Sequence, residues 1–160
     1  MSSLALARVL LTLIAWAIAL PAMACSFAPG YKVFRPAPVL RPGFTLAPAP
    51  KVIVARLVRG HRGVPATDCS DAGILELTVP SDALGYSFEI VEGDFDDVVF
   101  PEGFVQPTQS GLLRFFWLDG NTNLQEPIKV VVKITTMSAS GNVSEPLLLK
   151  IEDPGRGGVR

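Results

Sequence analysis

The chain has 160 residues, enough for one domain with a real core. Lys and Arg number 14 against 15 Asp and Glu, with one histidine, for a formal charge of −1. So even a balance gives no reason to expect nucleic acid or an anionic membrane as partner, and one histidine excludes any two-histidine metal spacing.

The amino terminus reads as an export signal over residues 1–24. Arg8 supplies the positive n-region, Val9 to Leu20 (VLLTLIAWAIAL) the apolar h-region, and Ala22-Met23-Ala24 a small-x-small cleavage site. A run of twelve residues is too short to cross ~30 Å of hydrocarbon as a helix. Cleavage removes Arg8 and no acid, so the mature chain carries one more net negative charge and no membrane span. Gly/Ala/Pro-rich, Arg-over-Lys usage is compatible with a GC-rich bacterial genome. The expected compartment is the periplasm or the extracellular space, where disulfides persist.

Cys25 has two readings. As the first mature residue it is a candidate lipid attachment point, which would make the protein an outer-membrane lipoprotein. Ala24-Cys25 fits a lipobox, but Ala22 stands where Leu is usual, and Pro21 with Ala22-x-Ala24 suits ordinary signal peptidase. Lipidation would also leave Cys69 as an odd thiol, whereas pairing leaves none. Parity therefore favours a Cys25–Cys69 disulfide, whose 44-residue loop is worth ~4 kcal/mol in the chain-entropy model.

Residues 25–50 are rich in proline (Pro29, Pro36, Pro38, Pro42, Pro48, Pro50), which removes ladder donors and favours extended backbone. Phe27, Tyr31, Phe34, Leu40 and Phe44 are interspersed, so the segment is expected to be an extended arm lying on the domain surface. From 51 to 153 the pattern predicts about seven short strands, at 51–58, 73–79, 86–92, 97–100, 111–118, 128–136 and 145–152. Leu75, Leu77 and Val79 alternate with Glu76 and Thr78. Tyr86, Phe88 and Ile90 alternate with Ser87 and Glu89, and Ile128, Val130, Val132 and Ile134 with Lys129 and Lys133. Such one-sided strands belong to antiparallel sheets. Turn residues separate the runs at Pro80-Ser81-Asp82, Glu92-Gly93-Asp94, Asp119-Gly120-Asn121 and Ser140-Gly141-Asn142. Residues 154–160 read as a disordered tail.

In the aromatic triplet Phe115-Phe116-Trp117, consecutive side chains must face opposite sides of the sheet. With Leu113, Phe115 and Trp117 inward, Phe116 points out, as cover for a neighbouring strand or the arm.

The segment Ile128 to Ile151 resembles the F strand, F–G turn and G strand of fibronectin type III and related bacterial Ig-like domains. Gly141-Asn142, Ser144 and Pro146 fall at the turn positions, and Gly85-Tyr86-Ser87-Phe88 resembles the start of the C strand. The resemblance implies an all-β, antiparallel Ig-like sandwich, preceded by the cleaved signal helix and the Pro-rich arm. It implies a scaffold used for binding, spacing and display rather than a particular activity.

Chemistry is sparse. His61 has no nucleophile elbow to serve, and two cysteines exclude a four-Cys zinc site. Glu92, Asp94, Asp96 and Asp97 form an acidic turn that is a candidate calcium site. Asp119-Gly120-Asn121-Thr122-Asn123 opens like an EF-hand loop, but Leu124 stands where Gly is needed and Val130 where Glu is needed. It reads instead as a hairpin connection. No catalytic residue and no cofactor is expected.

Charge is segregated along the chain. Between Cys25 and Ala66 there are seven basic residues and no acid; from Thr67 to Pro127 there are twelve acids and one base, Arg114. This predicts internal complementarity, with the basic arm and first strand lying across acidic loops. The expected function is that of a non-enzymatic binding or structural domain, its partner an unidentified protein or envelope component.

Overall fold

A computed structural model describes residues 27–37, 46–60, 71–80, 83–95, 99–108, 111–120 and 125–155. The signal segment, both cysteines, His61, Asp96 and Asp97 lie outside the described residues.

Alternation at a period of two decides the fold. In β3 (Ala72–Thr78), β4 (Gly85–Glu92), β6 (Leu112–Leu118) and β7 (Ile128–Met137) burial alternates along the strand, and most of the inward side chains are apolar, Thr136 being a polar exception. Three shorter strands precede or intervene, β1 (Tyr31–Val33), β2 (Val54–Val58) and β5 (Val105–Pro107), and β8 (Leu147–Asp153) closes the chain. No helix occurs among the described residues. All pairings are antiparallel, in a five-stranded sheet ordered β1-β5-β4-β7-β8 and a three-stranded sheet ordered β2-β3-β6.

The core lies between the two sheets. Leu75, Leu77 and Val79, with Leu113, Phe115 and Trp117, meet Tyr86, Phe88, Val130, Val132 and Ile134. Phe115 is its centre, edge-on to Phe88 at 4.9 Å and to Phe100 at 4.8 Å between centroids. Fully buried side chains such as Leu77 and Leu113 each contribute about 1.5–3 kcal/mol.

Three expectations are corrected. The run 97–100 does not supply a strand at its described end: Val99 and Phe100 are in irregular backbone and Phe100 plugs the core. The strand of this region is β5, three residues long and ending in Pro107, too short to show alternation. The connection after Leu118 is no hairpin, because β6 belongs to the three-stranded sheet and β7 to the other. Both edges of β7 are already taken by β4 and β8. The arm, finally, does more than lie on the surface. Tyr31–Val33 adds an eighth strand beside β5, and the Tyr31 ring sits 5.6 Å from Phe115.

Backbone hydrogen bonds fasten the rest of the arm. The Arg114 N–H of β6 donates to the Pro29 carbonyl at 2.9 Å, and Phe34 N–H to the Phe104 carbonyl at 2.8 Å. The outward ring of Phe116 is covered by Phe27, stacked at 4.5 Å. Proline's missing donor costs nothing here, since the arm is held through proline carbonyls and through neighbours' N–H groups.

In the β7–β8 turn, Gly141 takes a positive φ of 83° and its N–H donates to the Ser138 carbonyl. Ser144 is buried. Its hydroxyl accepts from the Thr136 N–H at 3.0 Å and donates to the Glu145 carbonyl at 2.8 Å. That double role is the physical reason for a serine at this turn position.

Candidate functional site

The densest polar constellation sits at the end of the sandwich where β2, β6 and β8 terminate. Arg59 follows β2 directly, Asp119 follows β6, and Asp153 is the last residue of β8. The Arg59 Nε donates to both Asp119 carboxylate oxygens at 2.9–3.0 Å, and Nη2 approaches Oδ1 at 2.9 Å. Nη1 reaches Asp153 Oδ1 at 2.6 Å, and Nη2 donates to the Glu126 carbonyl at 2.9 Å. The pair is deeply placed, with side chains 9% and 4% exposed for Arg59 and Asp119.

Asp119 receives further donors. Gly60 N–H lies 2.6 Å from Oδ2, the Trp117 indole N–H 3.1 Å from Oδ1, and Gln125 Nε2 2.9 Å from Oδ2. Burial pushes the carboxyl's pKa upward. The hydrogen bonds from Arg59, Gly60 and Trp117, with the Arg59 charge, outweigh it and hold the group below the usual range. Burial likewise works against the guanidinium charge, and the two carboxylates more than restore it. Gly60 is required here by space: a Cβ would collide with the Gly120 carbonyl.

A cleft of about 510 Å³ opens beside the cluster, lined by Asp94, Phe95, Trp117, Glu126 and Lys129, with Arg59 at its base. Phe95 stands edge-on to Trp117 at 5.2 Å. Gln125 is buried, with its amide nitrogen shared among the Gly60 and Gly120 carbonyls and Asp119. Its Oε1 makes no hydrogen bond among the described residues. The described lining contains no Ser, Thr, Cys or His. With every acceptor direction of Asp119 occupied, its carboxylate is a strut that ties three strand ends together, not a free base.

The acidic turn is seen in half. Glu92 and Asp94 are exposed around Gly93, whose positive φ of 83° and contact with the Lys129 carbonyl exclude a side chain. No group of three ligand-type side chains occurs among the described residues. Asp119, which opens the EF-hand-like stretch, is committed to Arg59.

Sequence reading missed the Arg59–Asp119–Asp153 cluster as a unit, though the charge segregation carried its signal. Arg56 and Arg59 of the basic stretch reach Glu76 and Asp119 of the acidic one. Lys32, Arg35 and Lys51 form no ion pair among the described residues, so the complementarity seen there is concentrated at β2 and the residue after it. Comparison of the chain with protein-family models, with curated proteins and with solved structures returned no match.

Proposed function

We propose that this chain is an exported, non-enzymatic Ig-like domain of the fibronectin type III kind, acting in the periplasm or outside the cell as a binding or structural module. The observation that carries the reading is the saturation of Asp119. The best-buried charges of the described residues neutralise one another and hold strand ends, leaving no poised acid, base or nucleophile around them among the described residues.

Strand placement supports the fold assignment. The segments compared with the C, F and G strands are β4, β7 and β8, neighbours in one sheet, while β2, β3 and β6 form the other. A Cys25–Cys69 disulfide belongs to the same proposal on cysteine parity, since pairing leaves no odd thiol.

Three measurements test the proposal. Intact-mass spectrometry of protein exported from a bacterial host should show loss of residues 1–24 and of two thiol hydrogens; an added diacylglycerol mass would sink the disulfide. Cross-linking in envelope extract should then yield a stoichiometric protein partner. Hydrolytic turnover abolished by Asp119→Asn in a still-folded chain would overturn the non-enzymatic reading.

A further inference from the structure

The outer edges of the two sheets differ in how they are covered. The arm holds one side of the sandwich: β1 is only three residues long, and β6 gives its Arg114 N–H to the Pro29 carbonyl. On the other side β2 and β8 are the outer strands, joined at one end by Arg59 and Asp153. No backbone hydrogen bond among the described residues reaches the outer edge of Leu147–Asp153. Leu148 is 61% exposed, and the Lys150 and Glu152 side chains 63% and 50%. A seven-residue strand with an open edge is a template for another strand, and its charges say which one.

Lys150 and Glu152 stand two residues apart on the outward face of β8, their charged atoms 2.7 Å from one another. Behind Lys150 the same row continues through Val131 to Glu92, and behind Glu152 it continues to Lys129. The Lys150 pKa is raised, first by the hydrogen bond and charge of Glu152 and further by Glu92. That of Glu152 is lowered, first by Lys150 and further by Lys129. Each row therefore reaches the edge with its charges alternating in sign.

We propose that β8 pairs with β8 of a second copy, antiparallel about a twofold axis through Ile151. Lys150 then lies opposite Glu152 of the second copy, and Glu152 opposite its Lys150. These four charges form a square with unlike signs along every side and like signs only on the diagonals. Neighbouring registers lack the match. An axis at Lys150 opposes two ammonium groups. An axis at Leu149 sets Lys150 against Leu148 and brings Pro146, which has no N–H, into the ladder. A slip by one residue sets core-facing against outward side chains. β2 offers no equivalent, since Arg56 is its one charge. Pro154 ends the ladder just beyond Asp153, so the contact is short and the dimer belongs to the weak, concentration-dependent class. The pairing does not depend on the exported, non-enzymatic reading.

The test is sedimentation velocity of the purified protein over a concentration series into the millimolar range. Wild type should pass from monomer to dimer. Lys150→Glu and Glu152→Lys should each weaken the dimer at least about tenfold, because each turns two opposed pairs from unlike to like charge. An equimolar mixture of the two variants should recover the dimer, since every opposed pair in the mixed species is again unlike. Arg56→Glu, on the other open edge, should leave association unchanged. All three side chains are exposed, and circular dichroism checks each fold. Wild type that stays monomeric, a folded single variant that dimerises as wild type does, a mixture that stays monomeric, or equal loss in Arg56→Glu would each overturn the proposal.

Discussion

Arg59→Met isolates the strut at the end of the sandwich, because it keeps the aliphatic stem and deletes the guanidinium. Removing one partner of a buried ion pair costs about 3–5 kcal/mol, chiefly because the other charge is left uncompensated. Asp119 would retain three donors, from Gly60, Trp117 and Gln125, which places the loss near the lower bound, about 3 kcal/mol. The Asp153 contact adds only about 0.5 kcal/mol, since that carboxylate is partly solvated. In urea, a slope of ~2 kcal/mol/M converts the sum into a midpoint lowered by roughly 1.5–2 M with the slope unchanged. The double variant Arg59→Met/Asp119→Asn should recover at least ~1 kcal/mol over the single one, because the stranded charge is gone. A midpoint drop below ~0.5 M, or a double variant no more stable than Arg59→Met, would refute the claim that charge pairing holds these strand ends.

The depressed Asp119 pKa fixes the sign of the pH dependence: its contribution is complete above the unfolded carboxyl value of ~3.9 and is lost as pH falls through the folded value, so acid titration of wild type should show a stability loss that Asp119→Asn lacks. Ser144→Ala should cost about 1–3 kcal/mol in thermal denaturation, because the Thr136 N–H is left buried without its acceptor. At Gly73, directly across from Trp117, a Cβ would enter the indole ring; Gly73→Val should therefore destabilise by about 1–3 kcal/mol and shift the Trp117 emission to the red. An unshifted spectrum would show that the ring has room to move without leaving the core.

Long strands were legible because alternation needs only their own residues. Leu75, Leu77 and Val79 point inward as their spacing predicts, as do Tyr86 and Phe88, and Val130, Val132 and Ile134. The inward set Leu113, Phe115 and Trp117 was readable for the same reason, and so was the cover over Phe116. β1 and β5 were not legible: three residues show no period, and each holds its place through the other, at Lys32 opposite Gln106 and Val33 opposite Val105. The crossing of Asp119-Gly120 between sheets was hidden because turn residues serve hairpins and crossovers alike. Arg59 was visible as a charge in a basic stretch, but its acidic partners stand at the ends of two other strands, β6 and β8, and only their assembly brings Asp119 and Asp153 to one guanidinium.

The docking of the arm also orders events in time. Phe34 and Ala37 are synthesised early, yet the carbonyls that receive their N–H groups belong to Phe104 and Ala139, about 70 and 100 residues later in the chain. Closing so distant a contact early carries the full loop-entropy cost with little packing in return, so β1 joins after the β3–β6 and β4–β7 pairings have formed. Until then β5 presents an unpaired edge and Phe115 lacks one of its neighbours. The arm is thus the last piece to seat, and the interval before it seats is when newly made copies are most exposed to mispairing with one another.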